Sequence, residues 1–441
     1  MNESVGDTIY ALASGHPPSG IAVIRISGPR CRFVCEMMCG GVPDARCAVL
    51  REIRSAQNIV IDRGLVLYFP GPASFTGEEV VELHLHGGRA VVAAVCDALE
   101  SIEGLRSAEA GEFTLRAFQS GKIDLTGAEA LADLIEAQTE EQRRFALANY
   151  GDAHRVLYEG WRSGIVKCLA EMTALIDFAD EADVMETADL GTLRELRILV
   201  GEIDSHMKRF RAGEIIREGY RIAIVGAPNA GKSSLLNALA GREIAIVTEE
   251  PGTTRDVLEV ALDIGGYKVV LSDTAGIRDG AGTVEAIGIA RAKQAAEAAD
   301  LVLVLEDASG GKADMPALDM AGPILRVGNK IDLDPEHDRR RYDICISVKE
   351  QRGMDALIER LGREAVQAGA VTSIVPFRRR HLALLREARD ALGLVVAGEL
   401  TAVELRAEEL RRAADSIGRL TGSVDVEDLL DVVFSRFCIG K

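Results

Sequence analysis

The sequence predicts a multidomain protein: an N-terminal α+β domain, an all-α helical domain, and a doubly wound α/β domain inserted into the helical one. Three observations carry this. Mixed strand and helix patterns run from residue 21 to about 117, helical periodicity with few breakers fills 127–217, and strand and helix segments then alternate until helix returns after VPFRRR. The boundaries follow as 1–120, 121–217 together with 371–441, and 218–370, within the two to four domains that 441 residues allow at roughly 100–200 residues each.

In chain order, IAVIRIS, LVLYF and the alternating VVELHLHGG read as strands, and AVVAAVCDALE reads as a helix. GAEALADLIEAQTEEQRRFALANY and TLRELRILVGEIDSHMKRF carry the 3.6-residue apolar spacing of long helices that pack into bundles. RIAIVG begins the α/β unit, followed by the helix SSLLNALAG, the strand pair LEVALDIGG and YKVVLSD, the helix IGIARAKQAAEAAD, and the strands LVLVLE and ILRVGNK. Insertion of this unit between helices is reasonable because domain termini commonly lie close together.

Composition excludes several classes. Hydrophobic residues at 47% and charged residues at 27%, with aromatics at only 4%, can fill a core with aliphatic side chains, so fibrous and wholly disordered chains are ruled out. Lys plus Arg at 51 against Asp plus Glu at 69 gives a formal charge of -18, which opposes a sequence-blind grip on nucleic acid while leaving room for a local basic patch. Neither a basic leader with an apolar run nor a bilayer-length apolar stretch is present, and the expectation is a cytoplasmic protein without membrane association. Eight cysteines are too sparse for a secreted disulfide framework, and Cys31, Cys35 and Cys39, though on one helical face, match no common zinc spacing.

GAPNAGKS at 226–233 stands between a strand and a helix. The backbone N–H groups of Gly226, Asn229, Ala230, Gly231, Lys232, Ser233 and Ser234 suit phosphate oxygens, Lys232 adds positive charge, and the Ser233 hydroxyl suits Mg²⁺. Asp273-Thr274-Ala275-Gly276 follows the strand YKVVLS, where the aspartate can serve the Mg²⁺ shell and Gly276 the γ-phosphate. In Asn329-Lys330-Ile331-Asp332 the carboxylate can accept from N1–H and the exocyclic amine of guanine, whereas adenine presents an acceptor at N1. The order of the three motifs indicates a GTPase. Ser347-Val348-Lys349 stands where such proteins carry a serine-alanine-lysine loop against the base, and departs from it at Val348. No glutamine follows DTAG to orient water, since Ile277 and Arg278 come next. Thr254, in Gly252-Thr253-Thr254-Arg255-Asp256, is the candidate to close over Mg²⁺, and Arg255 is either a catalytic or an ordinary solvated arginine.

The blocks IAVIRISG at 21–28, SFTGEEVVELHLHGG at 74–88, GEFTLRAFQSGKIDL at 111–125, the G motifs and the terminal FCIGK together resemble the tRNA modification GTPase family MnmE (TrmE) over essentially the full length. The resemblance implies an N-terminal domain that binds tetrahydrofolate and dimerises, a helical domain split by the G domain, and K⁺-dependent GTP hydrolysis in paired G domains. It further implies action with the flavin protein MnmG (GidA) to place an aminomethyl or carboxymethylaminomethyl group on C5 of wobble uridine 34 of certain tRNAs, with the carbon drawn from a 5,10-methylene or 5-formyl tetrahydrofolate. Residue by residue, Asn229 matches the family's K⁺ ligand, assisted by Thr248, Glu250 and Thr253, in a loop that Pro251 stiffens. Glu285 matches the glutamate that orients the attacking water through a second water.

Arg25, Glu78 and Lys122 match the folate contacts, although SGHPPSG and Ala110-Gly111 depart from the family's pattern nearby. Lys441 is a further candidate at that site, and Cys438 matches a cysteine that the family needs for modification and not for hydrolysis. His84 and His86 share a strand face without an evident third metal ligand, and Arg378-Arg379-Arg380-His381 is either a tRNA phosphate contact or a solvated helix start. The competing reading is a GTP-controlled switch or ribosome-assembly factor without modification chemistry, which would need neither the N-terminal block nor FCIGK.

Overall fold

The computed structural model describes residues 6–177, 182–246, 259–273, 297–309, 322–333, 339–371, 374–400, 402–424, 430, 433–435, 437 and 439–440, with the side chains of 175–190 left aside. Two compact units emerge: Met1–Ala132 with His154–Glu159 and Ile417–Lys441, and Asp133–Ala153 with Gly160–Ser416.

The first unit is built on a six-stranded sheet of order β3-β4-β5-β2-β1-β6, formed by β1 (Thr8–Leu12), β2 (Ser19–Ser27), β3 (Val49–Arg54), β4 (Val60–Phe69), β5 (Val80–Gly87) and β6 (Leu105–Ser107). All pairs are antiparallel except β1 with β6. Alternation along each strand sends Ile24, Ile26, Val81, Leu83 and Leu85 to one face, where α1 (Cys31–Cys39) and α2 (Arg89–Glu100) cover them. Cys31, Cys35 and Cys39 lie buried in that core. The Cys31 thiol donates to the Ile26 and Glu79 carbonyls, and burial pushes its pKa up, so these cysteines act as small core residues. Ile9 and Ala11 of β1 face the other way, onto Phe113 of α3 (Glu112–Gln119). The C-terminal tail returns to this unit: Ile439 bridges Ala110, and Phe434 and Phe437 pack with Leu125 and Ala128 of α4 (Leu125–Glu136).

The second unit joins helices to a second sheet. The stretch 127–150, read as helical throughout, breaks into α4 and α5 (Glu140–Asn149), because Thr139 caps α5 with its side chain while Gln142 reaches back to the Thr139 N–H. After α6 (Ala153–Asp177), α7 (Ala182–Met207) and α8 (Phe210–Glu218) comes the sheet β12-β11-β10-β7-β9-β8. Its strands are β7 (Tyr220–Val225), β8 (Glu259–Ile264), β9 (Tyr267–Asp273), β10 (Leu301–Asp307), β11 (Ile324–Asn329) and β12 (Ile344–Cys345), parallel except for the β8–β9 hairpin. Leu235, Leu236 and Leu239 of α9 (Lys232–Ala240) and Leu357, Leu361 and Ala365 of α10 (Met354–Ala368) close its core. α11 (Arg379–Ala397) and α12 (Val403–Thr421) complete the helical part. The helix expected over IGIARAKQAAEAAD lies almost wholly outside the described residues. No helix among the described residues is long and apolar enough to cross a membrane.

Candidate functional site: a nucleotide site on the parallel sheet

In an open parallel sheet, loops leaving the carboxyl ends of the strands converge on one edge, and four such loops meet here. From β7 the chain enters Gly226–Gly231 and turns directly into α9, so the helix N-terminus points at the loop. Gly231 has φ +101°, and a Cβ there would run into the Asn329 amide, so only glycine serves. Asn229 also takes a left-handed φ of 67°. Lys232 is only 7% exposed, and its ammonium donates to the carbonyls of Gly226 (2.8 Å) and Ala227 (3.1 Å). Burial holds its pKa below the ordinary lysine value, against the opposing pull of the Asp273 carboxylate.

At the end of β9, Asp273 is buried and its Oδ2 accepts from the Ser233 hydroxyl at 3.1 Å. Two oxygens of the kinds that ligate a hard divalent cation thus adjoin, one from each phosphate-side motif. From β11, the Asn329 amide donates to Ala230 O at 2.9 Å and its oxygen accepts from the Val348 N–H at 3.3 Å, which ties the phosphate loop to the loop after β12. The Ser347 hydroxyl donates to Asp332 Oδ1 at 2.6 Å, and this bond lowers the Asp332 pKa. The departure at Val348 is harmless to this arrangement, because the loop is held through a backbone N–H. Lys330 donates to Asp307 Oδ2 at 2.6 Å, at the end of β10. Asp307 escaped the sequence reading, and its signal is its position directly after the apolar strand LVLVLE.

The sequence candidates for this site that lie within the described residues fall into two groups. Gly226, Asn229, Ala230, Gly231, Lys232, Ser233, Ser234 and Asp273 gather around the loop between β7 and α9 and the end of β9, and Asn329, Lys330, Asp332 and Ser347 around the loops after β11 and β12. Thr248, Glu250, Thr253, Thr254, Thr274, Ala275, Gly276 and Glu285 lie outside the described residues, as do Arg255, Cys438 and Lys441.

In the first unit the three folate candidates fall near one another. Arg25 on β2 pairs with Glu82 (2.9 Å), and its guanidinium lies over the rings of Phe75 and Phe113 at 5.6 and 5.8 Å. Glu78 accepts from the Ser27 hydroxyl at 2.7 Å and from Arg116 at 3.1 Å. The Lys122 side chain runs alongside Gly77. Arg116, 93% of whose side chain is buried given its 7% exposure, also reaches Asp7 and Glu112, and sequence reasoning missed it because its partners are far apart in the chain. His84 pairs with Glu82 and the exposed His86 with Asp62, so each imidazole has a carboxylate neighbour. The basic run at the start of α11 is mostly turned inward: Arg378 pairs with Asp133 and His381 is buried, leaving Arg379 as the exposed member.

Two family models account for nearly the whole chain. The MnmE helical domain matches residues 125–438, and the GTP-binding protein TrmE N-terminus matches residues 8–122. The chain belongs to the MnmE/TrmE family. The tRNA modification GTPase MnmE of Chelativorans sp. (strain BNC1) is 55% identical over 438 residues, and that of Mesorhizobium japonicum is 53% identical over 443, each covering 99% of both chains. The MnmE of Sinorhizobium medicae is 50% identical over 444 residues with the same coverage. Among solved structures, the G domain of the T. maritima FeoB iron transporter matches 33% of this chain and 98% of its own at 24% identity, with a TM-score of 0.25 that carries no weight. The two MnmE/TrmE models meet between residues 122 and 125, at the break between α3 and α4.

Proposed function

We propose that this chain is a K⁺-dependent GTPase that works with MnmG to add a carboxymethylaminomethyl or aminomethyl group to C5 of wobble uridine 34 in certain tRNAs. The observation that carries the reading is the convergence of Lys232, the Ser233–Asp273 pair and the Asn329–Asp332–Ser347 set at one edge of a parallel sheet, in a chain of this family.

The phosphate loop supplies backbone donors, and the Lys232 ammonium leaves the Gly226 and Ala227 carbonyls to meet the β- and γ-phosphates. Ser233 with Thr254 would hold Mg²⁺, and Asn229, Thr248, Glu250 and Thr253 would hold K⁺. When bound, these cations supply fixed positive charge where negative charge builds on the β–γ bridge. Asp332 selects guanine, with Ser347 fixing the carboxylate rotamer. Glu285 positions water, Thr274, Ala275 and Gly276 approach the γ-phosphate, and Ala230, Ser234, Asn329 and Lys330 complete the nucleotide cradle.

The proposed division of labour is an N-terminal domain (1–120), a discontinuous helical domain (121–217 and 371–441) and a G domain (218–370). The first would bind a 5,10-methylene or 5-formyl tetrahydrofolate through Arg25, Glu78 and Lys122, with Lys441 from the tail, and Cys438 would serve the modification step. The half-buried Phe75 ring beside the Arg25 guanidinium suits a flat heterocycle. A homodimer is supported by the edge strand β3 and its hairpin partner, where Leu50, Ile59, Val60 and Leu65 are exposed. The same reading includes a cytoplasmic location and assembly with MnmG and tRNA.

The test is GTP hydrolysis in K⁺ against Na⁺ at equal ionic strength, with Glu285→Ala alongside. A K⁺-specific rate that collapses in Glu285→Ala, with nucleotide binding intact, is expected. Equal rates in the two salts would sink the cation-dependent mechanism and favour a GTP-controlled switch.

A further inference from the structure

A groove of about 340 Å³ lies in the second unit among the end of α7, α8 and α11. Met207, Phe210 and Leu382 give it an apolar floor, and Lys208, Arg211, Arg386 and Arg389 stand around it with one carboxylate, Asp204. Two of the cations are engaged within the protein. Arg211 pairs with Glu214 and Asp300, and Arg389 sits 2.7 Å from Asp390 and donates to Asp204 at a long 3.4 Å. Lys208 and Arg386 are exposed and have no side-chain hydrogen bond or ion pair among the described residues. Arg379, whose side chain is 79% exposed, lies two turns before Arg386 along α11.

The carboxylates Asp204, Glu214, Asp300 and Asp390 balance Arg211, Arg379 and Arg389, so in a chain of formal charge -18 it is Lys208 and Arg386 that present cations without a carboxylate partner among the described residues. Uncompensated cations beside an apolar floor suit a polymer that alternates anionic phosphates with sugars and flat bases. An acidic peptide offers carboxylates as well, but the relatives of this chain are tRNA modification GTPases, which favours RNA. We propose that the α7–α8–α11 groove holds the sugar-phosphate backbone of tRNA, with Lys208 and Arg386 on phosphates. The inference rests on the reading that the chain acts on tRNA, and it names the surface that does so.

The experiment is fluorescence anisotropy of labelled, unmodified tRNA with the full-length chain and MnmG over a salt series, comparing wild type with Lys208→Gln/Arg386→Gln. Loss of two phosphate contacts should make the slope of log affinity against log salt shallower by about 1.4–1.8 and cut affinity about tenfold or more near ~0.1 M salt. K⁺-stimulated hydrolysis and MnmG capture should be unchanged. If the double variant loses hydrolysis, the single variants Lys208→Gln and Arg386→Gln carry the test, each moving the slope by about half as much. Wild-type affinity and slope in the variants would overturn the inference alone. So would loss of MnmG capture with tRNA affinity intact, which would make the groove a protein dock. A wild-type complex without tRNA affinity would overturn both the inference and the reading beneath it.

Discussion

Replacing Arg116 by methionine should unfold the N-terminal unit at a markedly lower temperature. Its guanidinium, 7% exposed, donates to Asp7 O (3.1 Å), Asp7 Oδ1 (2.6 Å), both Glu78 oxygens (3.1 and 3.3 Å) and Glu112 Oε1 (3.1 Å). Arg106 is the other cation of the cluster, pairing with Asp7 and Glu112, so the substitution leaves three carboxylates facing one guanidinium. Breaking a buried ion pair costs about 3–5 kcal/mol, and the 28% and 32% exposure of Asp7 and Glu78 argues for the lower end, ~3 kcal/mol. For a domain of this size that is a fall of about 6–12 °C in Tm. Calorimetry would measure it, with amide exchange of Thr8–Leu12 and Glu112–Gln119 assigning the transition to this unit.

The pH dependence has a definite sign. Burial pushes the Asp7 and Glu112 carboxyls up, but bonds from Arg106 and Arg116, joined at Glu112 by the Glu109 N–H, outweigh it and hold both below their ordinary values of 3.8 and 4.5. Their contribution is therefore complete above the unfolded-state values and is lost as pH falls through the depressed folded ones. The gap between wild type and Arg116→Met should be widest above about pH 5 and close on acidification. A loss under ~1 kcal/mol at neutral pH, or a gap that widens in acid, would refute the reasoning. Because Arg116 also fixes Glu78, tetrahydrofolate binding should weaken in the same variant.

Asp332→Asn should shift base preference from guanine toward xanthine, since the amide presents a donor where the carboxylate accepted; competition between GTP and XTP measures it. Asn329→Ala removes two bonds of a buried side chain that joins the phosphate loop to the base loop, so GTP affinity should fall about tenfold or more by titration with a fluorescent analogue. Gly440→Val places a side chain against the Leu12 carbonyl at a φ of +101°, so amide exchange at Phe437 and Ile439 should rise while GTP hydrolysis stays at the wild-type rate.

Much of this fold is legible in the sequence. Local signals that repeat over several residues were enough for β2, β4, β5, α2, β7, α9 and the β8–β9 hairpin, because alternation and helical spacing record which face is buried. The phosphate loop was legible for a similar reason: its chemistry is written in consecutive residues, as backbone donors and a glycine that accepts a left-handed φ. Short elements such as β1, β6 and β12 were not, since strands of two to five residues owe their existence to partners elsewhere in the chain.

Contacts between distant segments were decided only by the tertiary structure. Whether Arg378 and His381 reached solvent depended on Asp133 and Phe377 packing against them, and the fold turned both inward. Asp307 became a partner of Lys330 because β10 and β11 lie side by side, and Arg116 gathered carboxylates from residues 7, 78 and 112 because β1, the loop before β5 and α3 converge. Sequence by itself determined the local chemistry and the order of the elements, where short-range spacing is sufficient. Folding alone determined which charges are paired, which are buried and which, like Lys208 and Arg386, stay available, because charge pairing depends on distances of a few ångströms between residues that the linear chain keeps far apart.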